Sequence, residues 1–132
     1  MDTPRILIVE DEEGMRSRMG SFLSRKIECE IVEASDGRKA LEMLEKEPFD
    51  LILLDIKMPG FSGLDILKKV KAAYPATEVI MVTAYDSEQV AREALEAGAA
   101  DYIIKPSSLV VIQNQVVKIL EKKKQKPADS SS

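Results

Sequence analysis

Four short runs in this chain are almost wholly apolar: Ile6-Leu7-Ile8-Val9, Leu51-Ile52-Leu53-Leu54, Val79-Ile80-Met81-Val82 and the shorter Tyr102-Ile103-Ile104. Runs of this length, rich in β-branched residues, suit strands covered on both faces. A further run, Cys29-Glu30-Ile31-Val32-Glu33-Ala34, sets two glutamates among apolar residues. Charge of that kind discourages further pairing, so this strand belongs at the margin of a sheet. Between the runs, apolar residues recur at helical spacing: Met15, Met19, Phe22 and Leu23; Ala40, Leu41 and Leu44; Leu64, Leu67 and Val70; Val90, Ala91, Ala94 and Leu95. A fifth stripe, Leu109, Ile112, Val116, Ile119 and Leu120, follows the last strand. Strand and helix alternate five times, which predicts parallel strands, right-handed crossovers and helices on both faces: a doubly wound, five-stranded α/β sandwich.

The punctuation agrees with this division. Asp86 with Gln89 three residues on resembles a capping box, and Gly98 can take the left-handed conformation that stops a helix. Pro48, Pro59, Pro75 and Pro106 fall between elements. From about Lys122 onward the periodicity gives way to Lys, Gln, Pro and Ser, the composition of a solvated helix end followed by a tail. The expected organisation is a short N-terminal tail at 1–4, one domain over 5–122, and a tail or linker at 123–132.

Composition narrows the choice of function. The 132 residues suffice for one ordinary domain, and 45% hydrophobic with 32% charged residues is a globular balance. The net charge is −4, and the one dense basic run, Lys122, Lys123, Lys124 and Lys126, is too local for a nucleic-acid-binding face. No apolar run approaches the roughly 18 residues of a membrane span, and the start lacks the pattern of a targeting segment. The single cysteine, Cys29, has no internal partner and reads as a buried, inert thiol. A soluble, cytoplasmic domain without nucleic-acid or membrane partners is the expectation.

The chemistry gathers at one end of the predicted strands. In open α/β sheets, ligands sit beyond the carboxyl ends of the strands. There the first strand ends in Glu10 and Asp11, the third in Asp55, the fourth in Thr83 and the fifth in Lys105. Taken singly, each has a plain structural reading: an acidic helix start favoured by the helix dipole, a turn cap, a strand-end hydroxyl, a surface charge. Their coincidence at one rim favours a site. Carboxylates so placed repel one another unless a cation or proton intervenes. Magnesium fits, because it takes one or two carboxylates, keeps several waters and accepts a substrate phosphate. Asp55 can then attack phosphorus as a nucleophile, Lys105 can offset the charge of the transferring group, and Thr83 can donate to it. The chain has no histidine, so the phosphoryl donor must come from outside.

The segments Ile6-Leu7-Ile8-Val9-Glu10-Asp11 and Leu54-Asp55-Ile56-Lys57-Met58-Pro59-Gly60-Phe61-Ser62-Gly63 closely resemble the response-regulator receiver family of two-component signal transduction. Ala34-Ser35-Asp36-Gly37 with Ala40-Leu41, Val82-Thr83-Ala84, and Ala97-Gly98-Ala99-Ala100-Asp101-Tyr102-Ile103-Ile104-Lys105-Pro106 continue the likeness in order, over about residues 5 to 122. The resemblance implies a flavodoxin-like sheet of strand order 2-1-3-4-5. It implies Asp55 as phosphoacceptor, and Glu10, Asp11, Asp55 and the backbone carbonyl of Lys57 as the protein's share of a magnesium shell. It further implies a switch built on Thr83 and Tyr102, a responsive face formed by helix 4, strand 5 and helix 5, and a cis bond before Pro106. The implied partners are a sensor histidine kinase or phosphotransfer protein, a downstream target or attached output domain, and a second copy in a homodimer. One departure is Ser107 where receivers often carry phenylalanine; Ser107 or Ser108 is instead suited to cap the fifth helix.

Three other readings are weaker. A haloacid-dehalogenase-type enzyme requires an aspartate two residues after the nucleophile, where Lys57 stands. A binding module that has lost phosphorylation would not need Asp55, Thr83 and Lys105 together. Nucleotide or flavin binding lacks its glycine-rich loop after the first strand. The chain is therefore expected to catalyse its own phosphorylation and dephosphorylation, not to turn over an external substrate.

Overall fold

A computed structural model describes residues 3–58, 60–105 and 108–125. The four apolar runs and the glutamate-bearing run form the five strands of one sheet: β1 (Arg5–Val9), β2 (Glu30–Ala34), β3 (Leu51–Leu54), β4 (Glu78–Thr83) and β5 (Asp101–Ile104). All pairings are parallel, in the spatial order β2-β1-β3-β4-β5. The five helices are α1 (Glu13–Lys26), α2 (Gly37–Lys46), α3 (Gly63–Ala73), α4 (Glu88–Glu96) and α5 (Leu109–Gln125). The helix of the last segment thus runs three residues past Lys122.

Alternation along each strand separates two cores. Ile6 and Ile8 of β1, with Leu51, Leu53, Ile80 and Val82, face α1 and α5, whereas Leu7 and Val9, with Ile52, Leu54, Val79 and Met81, face α2, α3 and α4. Neither face of the central strands meets water, which is why their sequences are continuously apolar rather than alternating. β2 lies at the edge, and its Glu30 and Glu33 are exposed, as the charge pattern predicts.

Local chemistry fixes the helix ends. Asp36 and Ser62 accept from backbone amides at the starts of α2 and α3, and Gly98 follows α4 with φ 111°. The cap of α4 differs from expectation: it is Ser87, whose hydroxyl accepts from the Val90 amide at 3.2 Å, and Asp86 lies one residue outside. Ser108 accepts from the Val110 amide at 3.1 Å, the capping role foreseen for it. Ser107 and the bond preceding Pro106 lie outside the described residues, as do Pro59 and the end of the chain from 126.

Two packing expectations are corrected. Leu95, placed in the apolar stripe of α4, is 48% exposed, because the short helix turns only Ala94 fully into the core. Cys29 is half-buried rather than buried, packed on the α1/α5 side, and burial pushes its thiol above the usual range. An antiparallel hairpin, Lys57–Met58 against Phe61–Ser62, stands outside the main sheet and has no counterpart in the periodicity.

The contrast between Leu53 and Leu95 gives a direct test of these packing assignments. Leu53→Ala should destabilise the protein by about 2–5 kcal/mol, the range for deleting a fully buried leucine side chain. Leu95→Ala should stay within about 0.5 kcal/mol. Urea midpoints measure both, and equal losses would contradict the assignment.

Candidate functional site

The carboxyl ends of the strands bring the predicted residues to one rim. Beyond β1, the Glu10 amide still donates to the Ala34 carbonyl of β2 at 3.2 Å, so the ladder holds the chain up to its first acidic residue. Glu10 is 4% exposed and Asp55, directly after β3, is 7% exposed, whereas Asp11 is open to solvent. Each of the three offers a carboxylate oxygen within 4.8 Å of the others. Lys105, just past β5, reaches back across β4: its ammonium donates to Glu10 Oε1 at 2.8 Å and Asp55 Oδ2 at 3.2 Å. Its backbone is fixed by donation to the Thr83 carbonyl at 2.7 Å.

Burial disfavours charge here and pairing restores it. Burial holds the Glu10 carboxyl above its ordinary pKa, opposed by hydrogen bonds from Lys105 and the Glu12 amide and reinforced by the charge on Asp55. For Lys105, burial pulls downward, but the hydrogen bond to Glu10 and the charges of Asp55 and Glu10 outweigh it, so its pKa is raised. Lys105 is thus held as a cation where two carboxylates demand one.

The donor set suits a hard cation. Three carboxylates supply oxygen only, two are held from the sheet, and Asp11 faces water, which magnesium retains in its shell. No described residue brings a soft sulfur or imidazole ligand to the rim. The Lys57 amide donates to Asp55 Oδ1 at 3.2 Å, fixing the carboxylate's orientation.

Thr83 is fully buried at the end of β4, and its hydroxyl oxygen accepts from the Tyr85 amide at 3.1 Å. Acceptance there leaves its O–H proton able to donate elsewhere. Tyr102 is half-buried on β5, and its hydroxyl donates to the Tyr85 carbonyl at 2.6 Å. The ring is therefore tethered to the loop after Thr83. The Lys57 ammonium sits 4.6 Å from the centre of the Tyr85 ring, a cation–π contact that links the loops after β3 and β4.

Tyr85, Arg16 and Gly63 are the site's neighbours that periodicity did not single out. Arg16 donates to the Glu10 carbonyl at 2.7 Å and to Glu33 at 3.0 Å. Gly63 opens α3 with its amide on the Ile56 carbonyl at 2.7 Å, and a Cβ at this position would lie 2.0 Å from the Asp55 carbonyl oxygen. Only a residue without a side chain lets α3 begin so close to Asp55. A cavity of about 660 Å³ lies at the opposite end of the sheet, beside Thr3, Lys26, Asp50 and Lys123, away from this chemistry.

Comparison with known proteins adds an independent line. Residues 6–117 match the family described as response regulator receiver domain. The chain is similar to sporulation initiation phosphotransferase F of Bacillus subtilis, 35% identical over 91% of this chain and 96% of that protein. It is also similar to a cyclic di-GMP phosphodiesterase of Thermotoga maritima, 37% identical over 87% of this chain but only 30% of that protein. It spans about a quarter to a third of the length of the first curated relatives it matches. Among solved structures, a CheY-like receiver domain protein from Methanospirillum hungatei superposes with a TM-score of 0.90, at 30% identity, over 96% of this chain and all of that one.

Gly63→Ala should shift the Asp55 loop and cost more than about 2 kcal/mol, as strain or overpacking at a closed backbone contact does. A thermal melt reads the loss, and an unchanged transition would show that α3 does not depend on this approach.

Proposed function

We propose a working cycle for this chain from its family: it belongs to the response regulator receiver domains, whose members are phosphorylation-activated switches of two-component signalling. In the cycle we assign, Asp55 is the phosphoacceptor. The observation that carries this is the shared ammonium of Lys105, poised between Glu10 and the Asp55 carboxylate at the strand ends.

Glu10, Asp11, Asp55 and the Lys57 backbone carbonyl would hold magnesium. When bound, the ion offsets negative charge on the phosphoryl group being transferred. An Asp55 carboxylate oxygen attacks phosphorus, forming the new O–P bond, and the donor's leaving group departs with the electron pair of the broken bond. Lys105 offsets charge on the phosphoryl oxygens, and the buried Thr83 hydroxyl donates to one of them. Loss of the phosphoryl group to water returns the carboxylate, so the chain governs its own state and is not a turnover enzyme on an external substrate. The donor is a sensor histidine kinase or a phosphotransfer protein.

The signal leaves through Thr83 and Tyr102. A phosphoryl oxygen that draws the Thr83 hydroxyl inward disturbs the Tyr85 amide bonded to it, and with it the carbonyl that holds the Tyr102 hydroxyl. Support for a responsive face of α4, β5 and α5 is its exposed apolar surface: Leu95, Ile104, Val110 and Val111 are each 41–50% exposed. That face takes a downstream protein target, an attached output domain or a second copy. We assign residues 5–122 to the receiver and 123–132 to a tail or linker, and place the domain in the cytoplasm, without nucleic-acid or membrane partners. No helix among the described residues is long and apolar enough to cross a membrane.

Incubation with magnesium and acetyl phosphate should give one base-labile adduct on Asp55, located by mass spectrometry, and Asp55→Asn should abolish it. Equal labelling of the Asn variant would remove the assignment. Magnesium should also raise the melting temperature: binding to the native state alone stabilises by about 2.7 kcal/mol at a hundredfold excess over Kd. An Asp11→Ala protein with the same response would contradict the ligand set. Thr83→Ala should accept phosphate, yet with beryllofluoride it should show weak amide shifts on the α4, β5 and α5 face. Full shifts there would detach Thr83 from the switch.

A further inference from the structure

Arg16 occupies the first turn of α1, and 14% of its side chain is exposed. Its guanidinium spans two elements. One terminal nitrogen donates to the main-chain carbonyl of Glu10 at 2.7 Å, and Nε donates to Glu33 Oε1 on the edge strand at 3.0 Å. Its own amide donates to the Glu12 carbonyl at 3.0 Å, closing the helix onto the same acidic turn. Glu10 is therefore held at three points: its amide on the Ala34 carbonyl, its carboxylate by Lys105 and the Glu12 amide, and its carbonyl by Arg16. Asp11 is the next residue along the backbone that Arg16 fixes.

We propose that Arg16 is a positioning residue for the divalent-cation site. By clamping the Glu10 carbonyl to β2 through Glu33, it fixes the turn that presents Glu10 and Asp11 and so raises magnesium affinity. The inference rests on the metal reading given above. A planar fork is needed, because a single ammonium is not preorganised to serve a carbonyl on one side and a carboxylate on the other.

Charge alone predicts the opposite sign. A guanidinium beside a cation site repels the cation, so an Arg16 that acted only through its charge would weaken magnesium binding, and removing it would tighten binding. Positioning reverses this, because loss of a partner that orients a metal ligand typically weakens affinity by about 10–100-fold. The direction of the change separates the two roles.

The test is calorimetric titration of the metal-free protein and its Arg16→Met and Arg16→Lys variants with magnesium chloride, with acetyl phosphate labelling rates measured across magnesium concentration. Arg16→Met should raise the magnesium Kd at least about tenfold and move half-saturation of labelling in parallel. The rate at saturating magnesium should stay close to that of the unsubstituted protein. Arg16→Lys, which keeps the charge and the aliphatic stem, should also lose affinity, and it carries the test if the Met variant does not fold. Unchanged or tighter magnesium binding by a folded variant would overturn the positioning role. A loss of saturated rate at constant Kd would overturn it too. Absence of magnesium binding by the unsubstituted protein would overturn the metal reading together with this inference. Failure of Asp55 labelling alongside the expected Kd shift would refute the phosphoacceptor and leave Arg16's role standing.

Discussion

Two buried carboxylates, Glu10 and Asp55, share one ammonium from Lys105, and the fold keeps those three groups together at the carboxyl end of a parallel sheet. Glu10 comes from β1 and Asp55 from its neighbour β3, so their closeness follows from strand order. Lys105 comes from the far edge, β5, and only a long side chain can cross β4 to reach them. A topology that separated β1 from β3, or set β5 farther from them, would leave buried carboxylates without this counter-charge.

Such a cluster is a poor source of stability. Desolvating charges commonly outweighs their attraction, and apolar substitutes of similar volume are often as stable or more so. Stability comes instead from the two apolar layers around Leu7, Ile52 and Met81 on one face and Ile8, Leu53 and Ile80 on the other. The rim is then free to hold polar and charged groups: three carboxylates with oxygens within 4.8 Å of one another, an ammonium shared by two of them, and a hydroxyl at Thr83 tied through Tyr85 to Tyr102. Strands buried on both faces position these groups.

The central sheet was legible because β1, β3 and β4 are buried on both faces and leave continuous apolar runs. β2 could be placed at the edge because Glu30 and Glu33 put charge into its run, where the apolar runs of the buried strands carry none. Glu10, Asp55, Thr83 and Lys105 stood out because each closes an apolar run, with Asp11 beside Glu10, and the structure brings Glu10, Asp11, Asp55 and Lys105 together at the strand ends. Elsewhere the pattern was silent or misleading. Leu95 fits the helical stripe, but a nine-residue helix turns too little of its surface inward to bury it. Asp86 and Ser87 are both good caps, and only the backbone geometry selects Ser87. Gly63 is required by a backbone approach between segments, and Arg16 by a carbonyl it reaches through space. Contacts of this kind to the main chain leave no periodic trace in side-chain polarity.

The central claim is that the carboxylate held by Lys105 is the one that takes the phosphoryl group. It is tested most directly by a crystal structure of the protein grown with magnesium and beryllofluoride. The expected result is a beryllofluoride group joined to an Asp55 carboxylate oxygen, with Lys105 against its fluorines and a cation in contact with Glu10, Asp11 and Asp55. Beryllofluoride on another side chain, or an empty rim with Lys105 still bridging Glu10 and Asp55 at saturating concentrations of both reagents, would contradict it.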